Sequence, residues 1–500
     1  IFLYNFNREA AMYILLDFFT LLLSFGFLVI AHYFFKYKKM LIKFFTPLFI
    51  ICFLALVATS INNWRTFYLY EFCFILLITD ALNIVSIWSE QSALPRPLFI
   101  IGIIFGILAV IAVYAFPIKN ITPPTGEKNV GTTAFMLIDE NRKEIYGPDS
   151  QKGCPRRIMV QVWYPALPVT TKSKAASSTN SKTAHGKRTQ WLPDRIIYKS
   201  LAQFGNLPPF AMSHLGYIMS NSYENVYFFN PSQRYPVIII SHGWGGSRFI
   251  HTNLAEEYAS HGFIVLAIDH SYGSLAVQFP DGLQAIQDKN ALGTFFSHKN
   301  EAYWQRARVL EETYAADTAL VLDYILTGKL PLELPTVAGT VSLNAVIDSR
   351  SIGLIAHSTG AGAGYYLTQN RSEIKAFIAL DAWLEPVEQV LAPSLSSVLQ
   401  IGSAQWEQGH NADLVSKTIS LTPQSMSIRI KDSTHMDMAM IRYLTNVGAI
   451  IKWSGTINSS LYEKTLRNIT LNWFTSILIN HDFEEARLKI ESLRGTYPVY

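Results

Sequence analysis

The stretch IGLIAHSTGAGAG, residues 352 to 364, decides how this chain is read. Its apolar start, IGLIA, runs into a histidine and a serine, and small residues follow at once. A short apolar run rich in isoleucine suits a strand buried on both faces, and TGAGAGYYLTQ can open a helix whose Gly and Ala permit close packing. A serine at the apex of a sharp strand-to-helix turn needs small residues two before and two after it, so that the backbones can approach. Ala356 and Gly360 hold those places around Ser358, giving A-x-S-x-G and not G-x-S-x-G. The pattern alone is a weak signal in a chain of 500 residues; its placement makes Ser358 a candidate nucleophile. Ser271 in IDHSYG also follows an apolar run, but Asp269 stands where a small residue is required and no compact helix start follows.

Similar runs surround this one. Residues 156–164 (RIMVQVWYP), 235–241 (YPVIIIS), 262–268 (GFIVLAI), 375–380 (KAFIAL) and 397–402 (SVLQIG) read as strands, and 301–326 reads as a long helix. Alternating strands and helices, with the strands apolar on both faces, imply one α/β domain with a mostly parallel sheet flanked by helices, over residues 118–485. Two segments break the rhythm. Residues 166–187 are dominated by Ser, Thr, Ala and Lys and read as a mobile surface loop. Residues 191–230 carry Trp191, Phe204 and Phe210 and read either as an apolar flap beside the active face or as an ordinary packed helical insertion.

A serine hydroxyl needs a histidine base, and the histidine needs a carboxylate that fixes its tautomer. On such a sheet the chain order is serine, acid, histidine, with the last two on loops after later strands. Asp381, at the end of KAFIALD, and His435, after MSIRIKDST, meet that order; His357 and His410 are rival bases. Acyl transfer also needs backbone N–H groups aimed at the developing oxyanion. Thr359, next to the nucleophile, and Trp244, in the glycine-rich SHGWGG loop at 241–246, are the candidates; the Trp244 indole reads equally as a pocket wall or a core ring.

Composition adds a second expectation. The chain is 50% hydrophobic and only 16% charged, and the excess is concentrated near its start. Residues 12–35, 40–60, 67–87 and 98–116 are apolar runs, each long enough to cross about 30 Å of hydrocarbon as a helix. Residues 1–117 therefore read as an all-α transmembrane domain of about four helices, and less well as a cleavable signal peptide. Lys36, Lys38, Lys39, Lys43 and Arg96 place the first and third loops in the cytoplasm, which puts the catalytic domain of a multi-pass protein on the extracytoplasmic side. Glu71 and Asp80 lie inside the third run but on opposite helical faces, unlike a paired site. Cys52, Cys73 and Cys154 offer neither a disulfide framework nor a metal cluster, and a net charge of +4 without a basic patch excludes nucleic acid. No cofactor or metal is expected.

The blocks YPVIIISHGWGGSRFIHTNLAEEYASHGFIVLAIDH, IGLIAHSTGAGAG, IALDAW and STHMD, in that order, resemble the platelet-activating factor acetylhydrolases, calcium-independent phospholipases A2. VGTTAFMLIDENRKEIYG and RRIMVQVWYPA resemble the amino-terminal strands of that family. The resemblance covers about residues 130–480. It implies an α/β-hydrolase fold with Ser358 as nucleophile, Asp381 as acid, His435 as base and Trp244 and Thr359 as oxyanion donors. It also implies a serine esterase acting on short or oxidised acyl esters of phospholipids, here tethered to a lipid bilayer. A general carboxylesterase for small non-lipid or polyester substrates is the alternative, and a non-catalytic membrane sensor or transporter is a third reading.

Overall fold

The computed structural model describes residue 104 and residues 107–108, 110–169, 186–292, 300–406 and 408–500. Ten strands form one mixed sheet: β1 (Asn129–Lys143), β2 (Pro155–Ala166), β3 (Lys187–Gln190), β4 (Met219–Glu224), β5 (Tyr235–Ser241), β6 (Ile264–Asp269), β7 (Ile347–His357), β8 (Ile374–Leu380), β9 (Ser397–Ser403) and β10 (Ser425–Ile430). Their spatial order is β10-β9-β8-β7-β5-β6-β2-β1-β4-β3. From β10 to β6 every pairing is parallel. Beyond β6 the sheet continues through the antiparallel pairs β6–β2 and β2–β1, and β4 then joins β1 in parallel.

The strands are apolar in consecutive positions because both faces are covered. In β5, Val237 and Ile239 enter one core with Leu310 and Leu322 of the helix α3 (Glu301–Leu326) and Ala361 of α4 (Thr359–Thr368). Ile238 and Ile240 point the other way, into a second core with Leu254 and Tyr258 of α2 (Thr252–Ser260) and Leu466 and Trp473 of α6 (Ser459–Phe474). The period of two along each strand thus serves two hydrophobic layers at once. Asn300 and Asn458 start the two long helices, their side chains accepting first-turn N–H groups from Tyr303 and from Ser460 and Leu461. Other helices are α1 (Arg195–Phe204), α5 (His410–Leu421) and α7 (Phe483–Leu493), with a single turn at Leu343–Val346.

The expected transmembrane helical domain is corrected here, and with it the multi-pass localisation and the extracytoplasmic side. Among the described residues, no helix is long and apolar enough to cross a membrane. The first three runs, with Glu71, Asp80, Cys52 and Cys73, lie outside the described residues. In the fourth run, residues 110–115 are helical, and Ala112 and Ala115 are buried against protein. The Ala115 carbonyl accepts from Thr445 Oγ1 at 2.6 Å and from the Asn446 N–H at 3.0 Å, and the Tyr114 carbonyl accepts from Asn446 Nδ2 at 2.9 Å. Hydropathy measures how apolar a run is, not what its backbone bonds to, and the end of this run is fastened to the hydrolase region although Val110, Ile111 and Tyr114 are exposed.

The next residues are tied down as well. Thr122 Oγ1 donates to Glu463 at 2.6 Å, and Arg467 donates to the carbonyls of Thr122 and Pro123 at 2.8 Å each. Of the expected 166–187 loop, residues 170–185 lie outside the described residues. Residues 191–230 contain α1, a 3-10 turn at Ser213–Tyr217 and strand β4. Trp191 is buried and donates its Nε1–H to the Phe249 carbonyl at 2.8 Å, whereas Phe204 and Phe210 are exposed.

Candidate active site

Each candidate residue sits at the carboxyl end of a parallel strand, where open α/β sheets present their chemistry. Ser358 occupies the turn between β7 and α4 with φ 54° and ψ −119°. A non-glycine residue in that region is held there by its surroundings. The Ser358 carbonyl accepts from the N–H groups of Ala361 and Gly362, both at 3.0 Å, and its own N–H donates to the Leu380 carbonyl at 2.9 Å. Gly360 meets the requirement for a small residue: a Cβ there would stand 2.6 Å from the His242 carbonyl oxygen and 2.7 Å from Ser241 Oγ.

Asp381 follows β8 and is itself at positive φ, 42°. His435 opens a 3-10 turn, His435–Met438, after β10, fixed by a reciprocal cap between Thr434 and Asp437. His435 Nε2 lies 3.0 Å from Ser358 Oγ, and His435 Nδ1 lies 3.2 Å from Asp381 Oδ2. Asp381 Oδ1 accepts the Ser403 N–H at 2.6 Å, so the carboxylate is anchored through one oxygen and faces the imidazole with the other. The Asp381 side chain is fully buried and that of His435 is 17% exposed. A carboxylate at Nδ1 selects the tautomer that leaves Nε2 free to accept the serine proton.

Trp244 sits in a tight turn closed by a 2.9 Å bond from the Gly246 N–H to the Gly243 carbonyl, with Gly245 at φ 73°. Gly243 passes so close to the nucleophile that a Cβ on it would stand 2.9 Å from the Ser358 Cβ. Thr359 begins α4, where the first N–H groups have no acceptor within the helix. Trp244, Ser358 and His435 line one cavity of about 100 Å³, walled by Leu192, Ile197 and Leu201 from the 191–230 segment and by Met440, Ile441 and Leu444 from the loop after His435.

The other polar candidates lie elsewhere. Ser271 is buried and donates to the Arg157 carbonyl. His410 is exposed and paired with Glu388 at 2.9 Å, which raises its pKa above the ordinary imidazole value. His357 is near the site but fully enclosed; burial, and then the neighbouring His435, hold it well below that value, so it stays uncharged. Among the described residues no group of His, Cys, Asp and Glu could hold a metal ion, and Cys154 is free and exposed.

Sequence reasoning missed two features. Trp406, in a turn just after β9, stacks on the His435 ring, with centroids 4.2 Å apart and planes 5° from parallel. Its position after a strand at the carboxyl edge was the available signal. Behind the 241–246 loop lies a buried chain: Ser241 Oγ to His270 Nε2 at 2.8 Å, His270 Nδ1 to Asp317 at 3.1 Å, and Asp317 to Arg156 at 2.7 Å. Burial opposes the charge on Asp317, but the Arg156 guanidinium more than offsets it and holds the carboxyl far below its usual range. This serine, histidine and aspartate are each no more than 1% exposed, so the arrangement braces the loop and offers no access to substrate.

Known proteins agree with this architecture. The chain is 26% identical over 321 residues to the platelet-activating factor acetylhydrolase of Canis lupus familiaris, covering 61% of this chain and 71% of that protein. It is 24% identical over 295 residues to the enzyme of the same name from Gallus gallus, covering 54% and 70%. Cutinase est1 of Thermobifida alba is 27% identical over 158 residues, covering 32% of this chain and 38% of that one. In fold, a ferulic acid esterase from Streptomyces cinnamoneus superposes with a TM-score of 0.52 at 19% identity, over 73% of this chain and 95% of its own. Residues 175–494, well over half the chain, match the family described as platelet-activating factor acetylhydrolase, isoform II. The chain belongs to that family and is a carboxylic ester hydrolase.

Proposed function

We propose that the chain hydrolyses short or oxidised acyl esters of phospholipids, using Ser358 as nucleophile, His435 as base and Asp381 as acid. The observation that carries this reading is the unbroken path Ser358 Oγ, His435, Asp381 at 3.0 and 3.2 Å, opening onto a small apolar cavity. Ser358 Oγ attacks the ester carbonyl carbon as its proton passes to His435 Nε2, and the carbonyl π pair moves onto oxygen. The N–H groups of Trp244 and Thr359 meet that oxyanion. Collapse breaks the bond to the leaving oxygen, which takes the proton from Nε2 and departs as an alcohol. Water then repeats the sequence on the acyl-enzyme and releases the carboxylic acid.

A cavity of about 100 Å³ at the nucleophile, lined mostly by apolar side chains, suits a short acyl chain, and membership of the family favours a phospholipid as its carrier. The same cavity suits a general carboxylesterase for small or polyester substrates, a reading favoured by the likeness to Cutinase est1. Turnover of phosphatidylcholines with graded sn-2 chains, beside p-nitrophenyl acetate, separates the two. The phospholipid reading expects kcat/KM to be highest for acetyl or oxidised short chains and to fall steeply with length; failure on every phospholipid leaves the general esterase. Ser358→Ala should abolish both activities and fluorophosphonate labelling, and retained turnover would exclude Ser358.

A further inference from the structure

We infer that Trp406 is a positioning residue for His435, whose indole face stabilises the imidazolium that forms when the base takes the serine proton. This rests on the proposed triad. The ring planes lie 5° from parallel with centroids 4.2 Å apart, a face-to-face contact and not an edge contact. The adjacent Gln405 Oε1 accepts the His435 backbone N–H at 3.0 Å, so one short turn, Ala404–Trp406, holds both the main chain and the ring of the base.

The physical argument is differential. A neutral imidazole gains only dispersion from an aromatic face, whereas a cation also gains from the ring quadrupole, and Trp gives the largest effect. The gain appears as the proton leaves Ser358 Oγ for His435 Nε2, so it lowers the barrier more than it tightens substrate binding. Trp406 lines a separate recess with Gly402, Asn411 and Arg429 and is not among the residues that wall the cavity at Ser358, so its replacement should act on both substrates alike.

The other groups around the base supply the frame for a pH test. Asp381 faces His435 from the end of β8 and Ser358 from the elbow. His357, on β7, has its ring centroid 4.6 Å away, and on the base's own turn Asp437 is paired with Arg442 at 2.7 Å. Asp381, Arg429 and the Asp437–Arg442 pair bring the charge near the base, and Asp381 and Arg429 line the same recess as Trp406, so the Phe variant, which keeps an aromatic ring there, is the comparison that separates the face from the space it fills.

The experiment compares Trp406→Leu and Trp406→Phe with the wild-type chain on p-nitrophenyl acetate and on a short-chain phosphatidylcholine. Leu should lower kcat about tenfold on both substrates with KM within about twofold. It should also move the acid limb of kcat/KM to lower pH by about one pH unit, because a less stabilised cation releases its proton at lower pH. Phe, keeping a smaller aromatic face, should fall between the two in both readouts. A loss confined to KM, an unmoved acid limb, or a Phe variant as impaired as Leu would overturn the assignment. Fluorophosphonate labelling at Ser358 of the wild-type chain is the control: labelling with no Trp406 effect defeats this inference alone, whereas labelling that survives Ser358→Ala defeats the triad.

Discussion

Replacing Asp381 by Asn exchanges one oxygen for an amide nitrogen and keeps the shape of the side chain, yet the surroundings dictate a large effect. The Ser403 N–H donates to Asp381 Oδ1 at 2.6 Å from the end of β9, where Ser403 is paired in register with Ile430 and cannot turn away. The amide oxygen must therefore take the Oδ1 position, and the NH2 group must face His435 Nδ1 across the present 3.2 Å. Nδ1 then becomes an acceptor and the ring proton moves to Nε2, which points at Ser358 Oγ from 3.0 Å. The base is turned into a donor at the one atom where it has to accept. Losing the correct tautomer costs a triad about 10⁴ in kcat, or about 5.5 kcal/mol of barrier. Steady-state kinetics on p-nitrophenyl acetate, with thermal unfolding as the check on folding, measure it. A folded Asp381→Asn variant within tenfold of the wild-type kcat would refute the orientation argument.

Two further predictions concern the frame of the site. Gly360→Ala places a methyl group 2.6 Å from the His242 carbonyl oxygen and 2.8 Å from that of Ser241, backbone atoms that cannot swing aside; a denaturant series should show a loss of about 1 to 3 kcal/mol, and an unchanged midpoint would refute the close approach. Glu311, on α3, is fully buried, and neither carboxyl oxygen has a hydrogen-bond partner among the described residues; burial raises its pKa well above the ordinary 4.5. The folded chain thus keeps a proton that the unfolded chain releases above about pH 4.5, and stability present below that value is lost as pH rises, at about 1.4 kcal/mol per pH unit, until the folded value is reached. Glu311→Gln should match the wild-type stability near pH 4 and exceed it at pH 8, and equal midpoints at pH 8 would sink the argument.

The parts of the fold that could be read from sequence were those with local patterns. IGLIA and TGAGAG announce β7 and α4 because burial on both sheet faces demands an apolar run and close packing demands small residues. The candidate site was legible for a related reason: Ser358, Asp381 and His435 each follow a recognisable strand, and the sheet gathers strand ends along one edge. Trp406 belongs to no periodic run, and its contact with His435 joins two loops that only the parallel order β8-β9-β10 makes neighbours. The Ser241, His270 and Asp317 chain was hidden for the same reason. β4 was concealed inside the stretch 191–230, since MSNSYE has almost no apolar character and is a strand because β1 and β3 pair with it on either side. The helical residues before 116 mislead in the opposite way, their composition satisfying a membrane rule while the carbonyls of Tyr114 and Ala115 bond to Thr445 and Asn446.

Those same residues act as a mechanical strut. The carbonyls of Tyr114 and Ala115 are fastened to Thr445 and Asn446. The Thr122 N–H and the Glu463 carboxylate both hold the Tyr443 hydroxyl, at 3.1 and 2.9 Å. Met440, Ile441 and Leu444, which wall the cavity at Ser358, belong to the same short loop, a few residues beyond His435. The segment 110–116 is therefore bonded to the same loop that walls the cavity at Ser358. The cavity at Ser358 is thus walled on one side by residues of the 191–230 segment and on the other by a loop tied to the segment that precedes β1.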